Sequence, residues 1–283
     1  MGVRASTTVG ELLAWAGKRL AHLPQPAREA RRALRLATGG ECPPREERLS
    51  AFTRGRFRRI VEARARGVPW PILEETTSFL DFEVLVPPGV FIPRPETEEL
   101  AELAISLFAE APPRPRALDI GTGTGILALA LARARPDAEV WATDVSLRAV
   151  RAARRNAQRL GLKIHVCHSE GFCKLSGKFH LIVANPPYVA KDELPLLPKE
   201  VRGFDPRRAL DGGKDGLECI RQILFEAPKF LEPEGVLILE VGPTQKEALL
   251  RMADSMGEWA ETRVIPDLSG RPRFFLGRCL PSR

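Results

Sequence analysis

The sequence predicts an α/β fold, a parallel sheet covered by helices on both faces, preceded by a small helical bundle and a short β-hairpin linker. Three observations carry this. From about Pro93 onward, short apolar runs alternate with helical stretches. Before that point apolar residues recur at helical spacing, followed by a Pro-punctuated stretch of alternating residues. The 283 residues are 44% hydrophobic and 28% charged, enough to bury a full core without disulfide or metal staples.

The elements follow in order. Thr8-Val9-Gly10-Glu11 has capping-box spacing, and Leu12, Leu13, Trp15, Ala16, Leu20 and Leu23 continue at helical intervals. A second helix runs from Pro26 to Thr38, with Gly39-Gly40 as its stop. A third carries Leu49, Phe52, Phe57, Ile60 and Val61 and ends before Gly67 and Pro69. Phe79, Phe82, Val84 and Val86 alternate as in a hairpin, closed by Pro87-Pro88-Gly89. Pro93–Glu99 reads as a helix start, with proline and acids in its first turn, or as a lining of the site. Strands are expected at Ala117–Ile120, Glu139–Thr143, Ile164–Cys167, Phe179–Ala184 and Val236–Val241, with helices at Ile126–Arg135 and Leu147–Leu160. Val264–Pro266 and Arg273–Leu276 suit an antiparallel edge hairpin. The domains expected are therefore 1–72, a basic helical domain, 73–92, the hairpin linker, and 93–283, the α/β domain.

Composition narrows the class. An odd count of five cysteines without CxxC spacing argues against a secreted disulfide scaffold and for the cytoplasm. No stretch approaches the roughly 20 apolar residues of a membrane span, and the opening MGVRASTTVGELLAWAG lacks a signal-peptide core. The net charge of +7 is uneven: residues 1–72 hold 15 basic and 6 acidic residues, the remainder 28 and 30. Such a patch steers an anionic partner, nucleic acid or an acidic protein, or is only a solubilising face of Arg-rich helices.

Leu118-Asp119-Ile120 runs into Gly121-Thr122-Gly123-Thr124-Gly125, a strand turning through alternate glycines into a helix. Glycine is needed where a ligand lies on bare backbone. The third glycine comes one residue too early for the dinucleotide fingerprint, and no Gly-Lys-Ser/Thr follows, which excludes a P-loop. The spacing resembles motif I of class I S-adenosylmethionine-dependent methyltransferases, with their Rossmann-like sheet. Asp144, 19 residues after Gly125 at the end of the next strand, can accept both ribose hydroxyls. In similar enzymes the loop Ser169-Glu170-Gly171-Phe172 lies over adenine, Glu170 accepting the exocyclic amine and Phe172 on the ring.

The fourth strand ends in Asn185-Pro186-Pro187-Tyr188, which includes the single tyrosine of the chain. Two prolines stop the ladder and leave carbonyl acceptors. Asn185 Oδ1 and the Pro186 carbonyl can each take one N–H of a planar NH2 group, with Tyr188 stacked on its plane. The motif resembles that of amino-methylating enzymes, whose targets are exocyclic base amines or the glutamine side-chain amide. Asn185 then faces cofactor and substrate alike, and Pro187 completes the substrate cage.

The resemblance extends further. Phe91-Ile92-Pro93-Arg94-Pro95-Glu96-Thr97-Glu98, Leu118–Gly125, Asn185–Tyr188, Ala209–Leu217 and Glu240-Val241-Gly242 stand in the order found in the HemK, or PrmC, family of peptide chain release factor N5-glutamine methyltransferases. The resemblance runs from about Gly67 to the end. It implies methylation of the glutamine in the GGQ loop of class I release factors, in translation termination, with S-adenosylmethionine as donor and the N-terminal bundle helping to dock the factor. A monomer is expected, with no membrane partner and no nucleic-acid substrate. One departure is Pro69-Trp70-Pro71, where the family usually has Gln-Tyr after its proline.

His165, Cys167, His168, Cys173 and His180 invite a zinc reading, but their spacing fits no finger or zincin pattern, and no metal is expected. Two other functions compete. A nucleic-acid amine methyltransferase would use the same Asn-Pro-Pro-Tyr cage and suits the basic first quarter, which nonetheless lacks interleaved stacking aromatics. A non-catalytic S-adenosylmethionine-binding module would tolerate loss of Asn185 or Tyr188.

Overall fold

The computed structural model describes residues 7–281, which form two compact units, Met1–Glu75 and Thr76–Arg283. In the first, α1 (Val9–Arg19) starts on a complete capping box, with Thr8 and Glu11 each satisfying the other's backbone N–H. Helix α2 (Pro26–Thr38) has proline in its first turn and ends on Gly39 at φ 86°. Helix α3 (Ala51–Ala65) is capped by Ser50, and the short α4 (Trp70–Glu74) closes the unit. Leu12, Leu20, Leu34, Phe57 and Trp70 form its core. Trp70, the departure from the family pattern, packs in that core and donates through Nε1 to Glu29 at 3.0 Å. The same carboxylate receives Arg64 Nε at 2.5 Å, so one half-buried acid ties together α2, α3 and α4. The helix α4 was not expected from the sequence: its two prolines at Pro69 and Pro71 read as linker, yet both fall where a helix start tolerates them.

The second unit opens with the hairpin β1 (Thr76–Phe79) and β2 (Phe82–Leu85), antiparallel in register Thr76 to Leu85. Helix α5 (Pro95–Ala109) precedes β3 (Arg116–Ile120), then come α6 (Ile126–Ala134), β4 (Glu139–Asp144), α7 (Leu147–Leu160), β5 (His165–His168) and β6 (Phe179–Ala184). After the short α8 (Lys199–Phe204) the chain forms α9 (Glu218–Phe230), β7 (Leu231–Glu240), α10 (Lys246–Met256), β8 (Trp259–Pro266) and β9 (Pro272–Cys279). The seven strands lie in the order β5-β4-β3-β6-β7-β9-β8, and only β9 and β8 run antiparallel to their neighbours. This is the Rossmann-like α/β sheet the glycine loop foretold. The strand order reverses between β3 and β6, where a doubly wound sheet opens a crevice at its carboxyl edge. Strand β7 begins at Leu231, five residues earlier than expected, because its first residues include the polar Glu232 and the exposed Glu234 ahead of the apolar run from Val236.

The histidines of the zinc decoy have other partners. His165 stacks on Trp141 at 4.6 Å, His168 Nε2 lies 3.0 Å from the Val145 carbonyl, and His180 Nδ1 accepts from Arg116 N. No helix among the described residues is long and apolar enough to cross a membrane.

Candidate active site

Strand register builds the site. Ile120 of β3 pairs with Thr143 of β4 and with Ala184 of β6, and Ala184 pairs with Leu239 of β7. One residue further along each strand stand Gly121, Asp144, Asn185 and Glu240, so four segments far apart in sequence end in one row. Above the row lies a cavity of about 380 Å³. Gly121, Thr122, Gly123, Thr124, Asp144, Glu170, Phe172 and Asn185 all line it, joined by Pro187 and by Phe91, Pro93 and Thr97 from the start of α5.

The cofactor side is made of backbone. Gly121 and Gly123 have φ values of 72° and 57°, and a side chain at either would project into open space. That bare cradle at the start of α6 fits a nucleoside lying against the chain. Gly125 is a different case: it does not line the cavity, and a Cβ there would come within 3.0 Å of the Ala153 side chain. Its glycine serves the close approach of α7 at φ 90°.

Asp119 braces the loop from below. Its Oδ2 accepts from Thr122 Oγ1 at 2.5 Å and from Ala128 N at 3.1 Å, while Oδ1 is buried without a partner. Burial raises its pKa to about 7 despite those two donors. Asn156 of α7 braces it from the side. Its Nδ2 donates to the Thr124 carbonyl at 2.9 Å and to the Leu85 carbonyl, and its Oδ1 accepts from Leu85 N. Sequence reading passed over Asn156, although a polar residue among Ala149, Ala152, Ala153 and Ala157 on one helix face was a visible signal.

Asp144 accepts from Gly123 N at 2.9 Å and from Ser146 N at 2.7 Å, one bond to each oxygen. Each oxygen keeps a second lone pair for a ligand hydroxyl. Burial pushes its pKa up against those two backbone donors. Phe172 is buried and stacks on Phe230 at 4.6 Å, while Glu170 is exposed at the rim.

The opposite side is made of side chains. Asn185 Nδ2 donates to Thr97 Oγ1 at 3.1 Å, and Thr97 Oγ1 donates to Glu240 Oε2 at 3.1 Å. Tyr188 donates its hydroxyl to Glu240 Oε1 at 3.1 Å. Pro186 is buried beneath the turn, and neither it nor Tyr188 is part of the cavity lining. Burial, then the neighbouring Glu240, pushes the Tyr188 phenol far above its usual range. Burial likewise raises the Glu240 pKa to about 7, opposed by the bonds from Thr97 and Tyr188.

Two further contacts hold this side. Asp205, just beyond α8, accepts from Ile92 N at 2.9 Å and pairs with Arg94, pinning the segment that leads into α5. The glycine-rich loop 211–216 packs on the Asn-Pro-Pro-Tyr turn, where a Cβ on Gly216 would stand 2.4 Å from the Tyr188 carbonyl. Gln245 bridges that carbonyl and the Gly216 carbonyl through Nε2. Thr97, Asp205, Glu240 and Gln245 were present in the quoted motifs or near them, but nothing in spacing alone assigned them roles.

Comparison with known proteins identifies the family of the chain. The methyltransferase small domain model matches residues 81–196. A release factor glutamine methyltransferase of Moorella thermoacetica is 40% identical over 234 residues, which are 82% of this chain and 82% of that protein. One from Xylella fastidiosa is 40% identical over 247 residues, 86% of each chain. Among solved structures, the hMettl16 catalytic domain bound to an RNA hairpin covers 71% of this chain and 76% of its own, with a TM-score of 0.56 at 16% identity. A T. thermophilus 16S rRNA guanosine N2 methyltransferase with AdoMet covers 73% and 50%, with a TM-score of 0.52 at 21% identity. At those identities the structures share the fold.

Proposed function

The chain belongs to the release factor glutamine methyltransferase family, and from the site just described we propose that it transfers a methyl group to the side-chain N5 of the glutamine in the GGQ loop of class I release factors. It is an S-adenosylmethionine-dependent methyltransferase. The observation that carries the substrate reading is the Asn185 amide, turned so that its nitrogen is spent on Thr97 and its oxygen is left for an incoming N–H.

When bound, S-adenosylmethionine supplies an electrophilic methyl group on its sulfonium. The chain's own residues do the rest. Gly121 to Thr124 and Asp144 would hold the nucleoside, with Glu170 and Phe172 on the side of its adenine. Asn185 Oδ1, which lines the cavity, accepts one of the two amide protons and aims the nitrogen for in-line displacement. An amide nitrogen is a poor nucleophile because its lone pair is delocalised. Acceptors that favour a rehybridised nitrogen stabilise the transition state more than the ground state. Tyr188 acts from behind, anchoring the turn through Glu240 instead of stacking over the amide.

We assign residues 1–72 to docking of the factor, 73–92 to a linker and 93–283 to catalysis. Arg28, Arg31, Arg32, Arg35 and Arg56 line one groove of the first unit, a surface suited to acidic side chains. The enzyme is expected to work in the cytoplasm as a monomer, where its substrate acts. The test offers labelled S-adenosylmethionine with a class I release factor, the same factor with its GGQ glutamine changed to alanine, ribosomal RNA and DNA. Label on the first alone supports the assignment; label on nucleic acid alone overturns it.

A further inference from the structure

We propose that Thr97 and Glu240 are positioning residues that decide which end of the Asn185 amide faces the reacting nitrogen. The proposal rests on reading Asn185 as the acceptor of the substrate amide. Its argument is one of donor counting. An ionised carboxylate only accepts hydrogen bonds, and a hydroxyl has one hydrogen to give. Thr97 spends that hydrogen on Glu240 Oε2. Toward Asn185 it is therefore an acceptor, and only Nδ2 of the amide can occupy the position 3.1 Å away. Oδ1 is left on the opposite side of a side chain that lines the cavity. A flipped Asn185 would set oxygen against oxygen at Thr97 and present a donor to a substrate amine that is itself a donor.

Burial makes the order strict. Thr97 is 1% exposed and Glu240 2%, so water does not compete for these bonds. The other carboxylate oxygen holds Tyr188, so one acid fixes both ends of the Asn-Pro-Pro-Tyr turn. Glu240 reaches this place because β7 pairs with β6 in a register that sets it beside Asn185. The groups facing it are Glu96 and Thr97 from α5, Tyr188 from the turn after β6, and Arg273 from β9. Protonating Glu240 turns one of its two acceptors into a donor, and either Thr97 or Tyr188 then loses its partner. Transfer should consequently weaken on the acid side of the pKa raised to about 7.

The experiment measures kcat and KM on a full-length release factor, S-adenosylmethionine affinity by calorimetry, and the pH profile of kcat. It compares the wild type with Thr97→Val, Thr97→Ser, Glu240→Gln and Asn185→Ala. Thr97→Val should lower kcat roughly ten- to thirtyfold with cofactor affinity kept, since a buried amide loses its partner. Thr97→Ser, which keeps the hydroxyl, should restore most of it. The acid limb of the wild-type kcat profile should be absent from Glu240→Gln. Wild-type kcat in Thr97→Val, or an unchanged acid limb in Glu240→Gln, overturns the proposal. If Glu240→Gln fails to fold, the Thr97 pair still decides. Transfer surviving in Asn185→Ala would sink the reading of the amide acceptor itself. Loss there with normal Thr97→Val sinks only the relay.

Discussion

Along one side of the cavity a glycine-loop backbone, with the Asp144 carboxylate beside it, is offered to a ligand; along the other stand side chains anchored to a buried acid. On the cofactor side, Gly121 to Thr124 are contiguous, and the loop is set by local turn geometry with Asp119 only nine residues from its farthest partner, Ala128. On the amine side, Thr97 and Glu240 are 143 residues apart, and Asn185 stands 88 residues from Thr97. Binding a common nucleoside needs shape and N–H groups, which a short glycine loop supplies by itself. Orienting a neutral amide needs a defined order of donors and acceptors, which several elements must assemble together.

The sharpest way to break this comparison is Asn185→Ala. It should lower methyl transfer at least about a hundredfold by removing an acceptor used at the reacting nitrogen, while calorimetry shows S-adenosylmethionine affinity little changed. Equal loss on both counts would mean the two sides are one site. Next comes Arg94→Ala, which leaves the fully buried Asp205 carboxylate without its cation. Urea unfolding should show a loss of about 3 kcal/mol, with the remaining folded enzyme impaired in kcat, because Asp205 also pins the approach to α5.

A finer contrast lies within the glycine loop. Gly125→Ala adds a Cβ against Ala153 at a positive φ and should cost about 1–3 kcal/mol of stability. Gly123→Ala points into open space and should act chiefly on cofactor affinity, which titration of the two variants side by side will separate. The smallest effect is one of pH. Burial lifts Glu240 from an ordinary 4.5, and Asp119 from 3.8, to about 7 in the folded chain. The folded state then holds more protons than the unfolded chain between those values, so this contribution to stability falls as pH rises through that window. Glu240→Gln should make the decline of Tm between about pH 5 and pH 7 shallower; an unaltered slope would place the raised pKa elsewhere.

Much of the cofactor side was legible in the linear sequence. The spacing of Gly121, Gly123 and Gly125, the apolar β3 before them and Asp144 at the end of β4 are local patterns, and local patterns follow from φ/ψ preference and strand alternation. Even there, Gly125 looked like its two neighbours in sequence, and only the nearness of Ala153 separates helix packing from ligand contact. The Asn-Pro-Pro-Tyr turn was equally visible, but the hydrogen bond from Tyr188 to Glu240 was not. A tyrosine's direction depends on which acceptor is buried behind it, and that acceptor comes from another strand.

By itself the sequence determined the alternation of strands and helices, the α/β class, the glycine cradle and the stiff Asn-Pro-Pro-Tyr turn, because each depends on residues within a few positions of one another. Tertiary structure alone decided the row of Gly121, Asp144, Asn185 and Glu240 and the orientation of the Asn185 amide. Strand register and buried donor–acceptor order are properties of segments meeting across the fold, and no local preference of any one segment contains them.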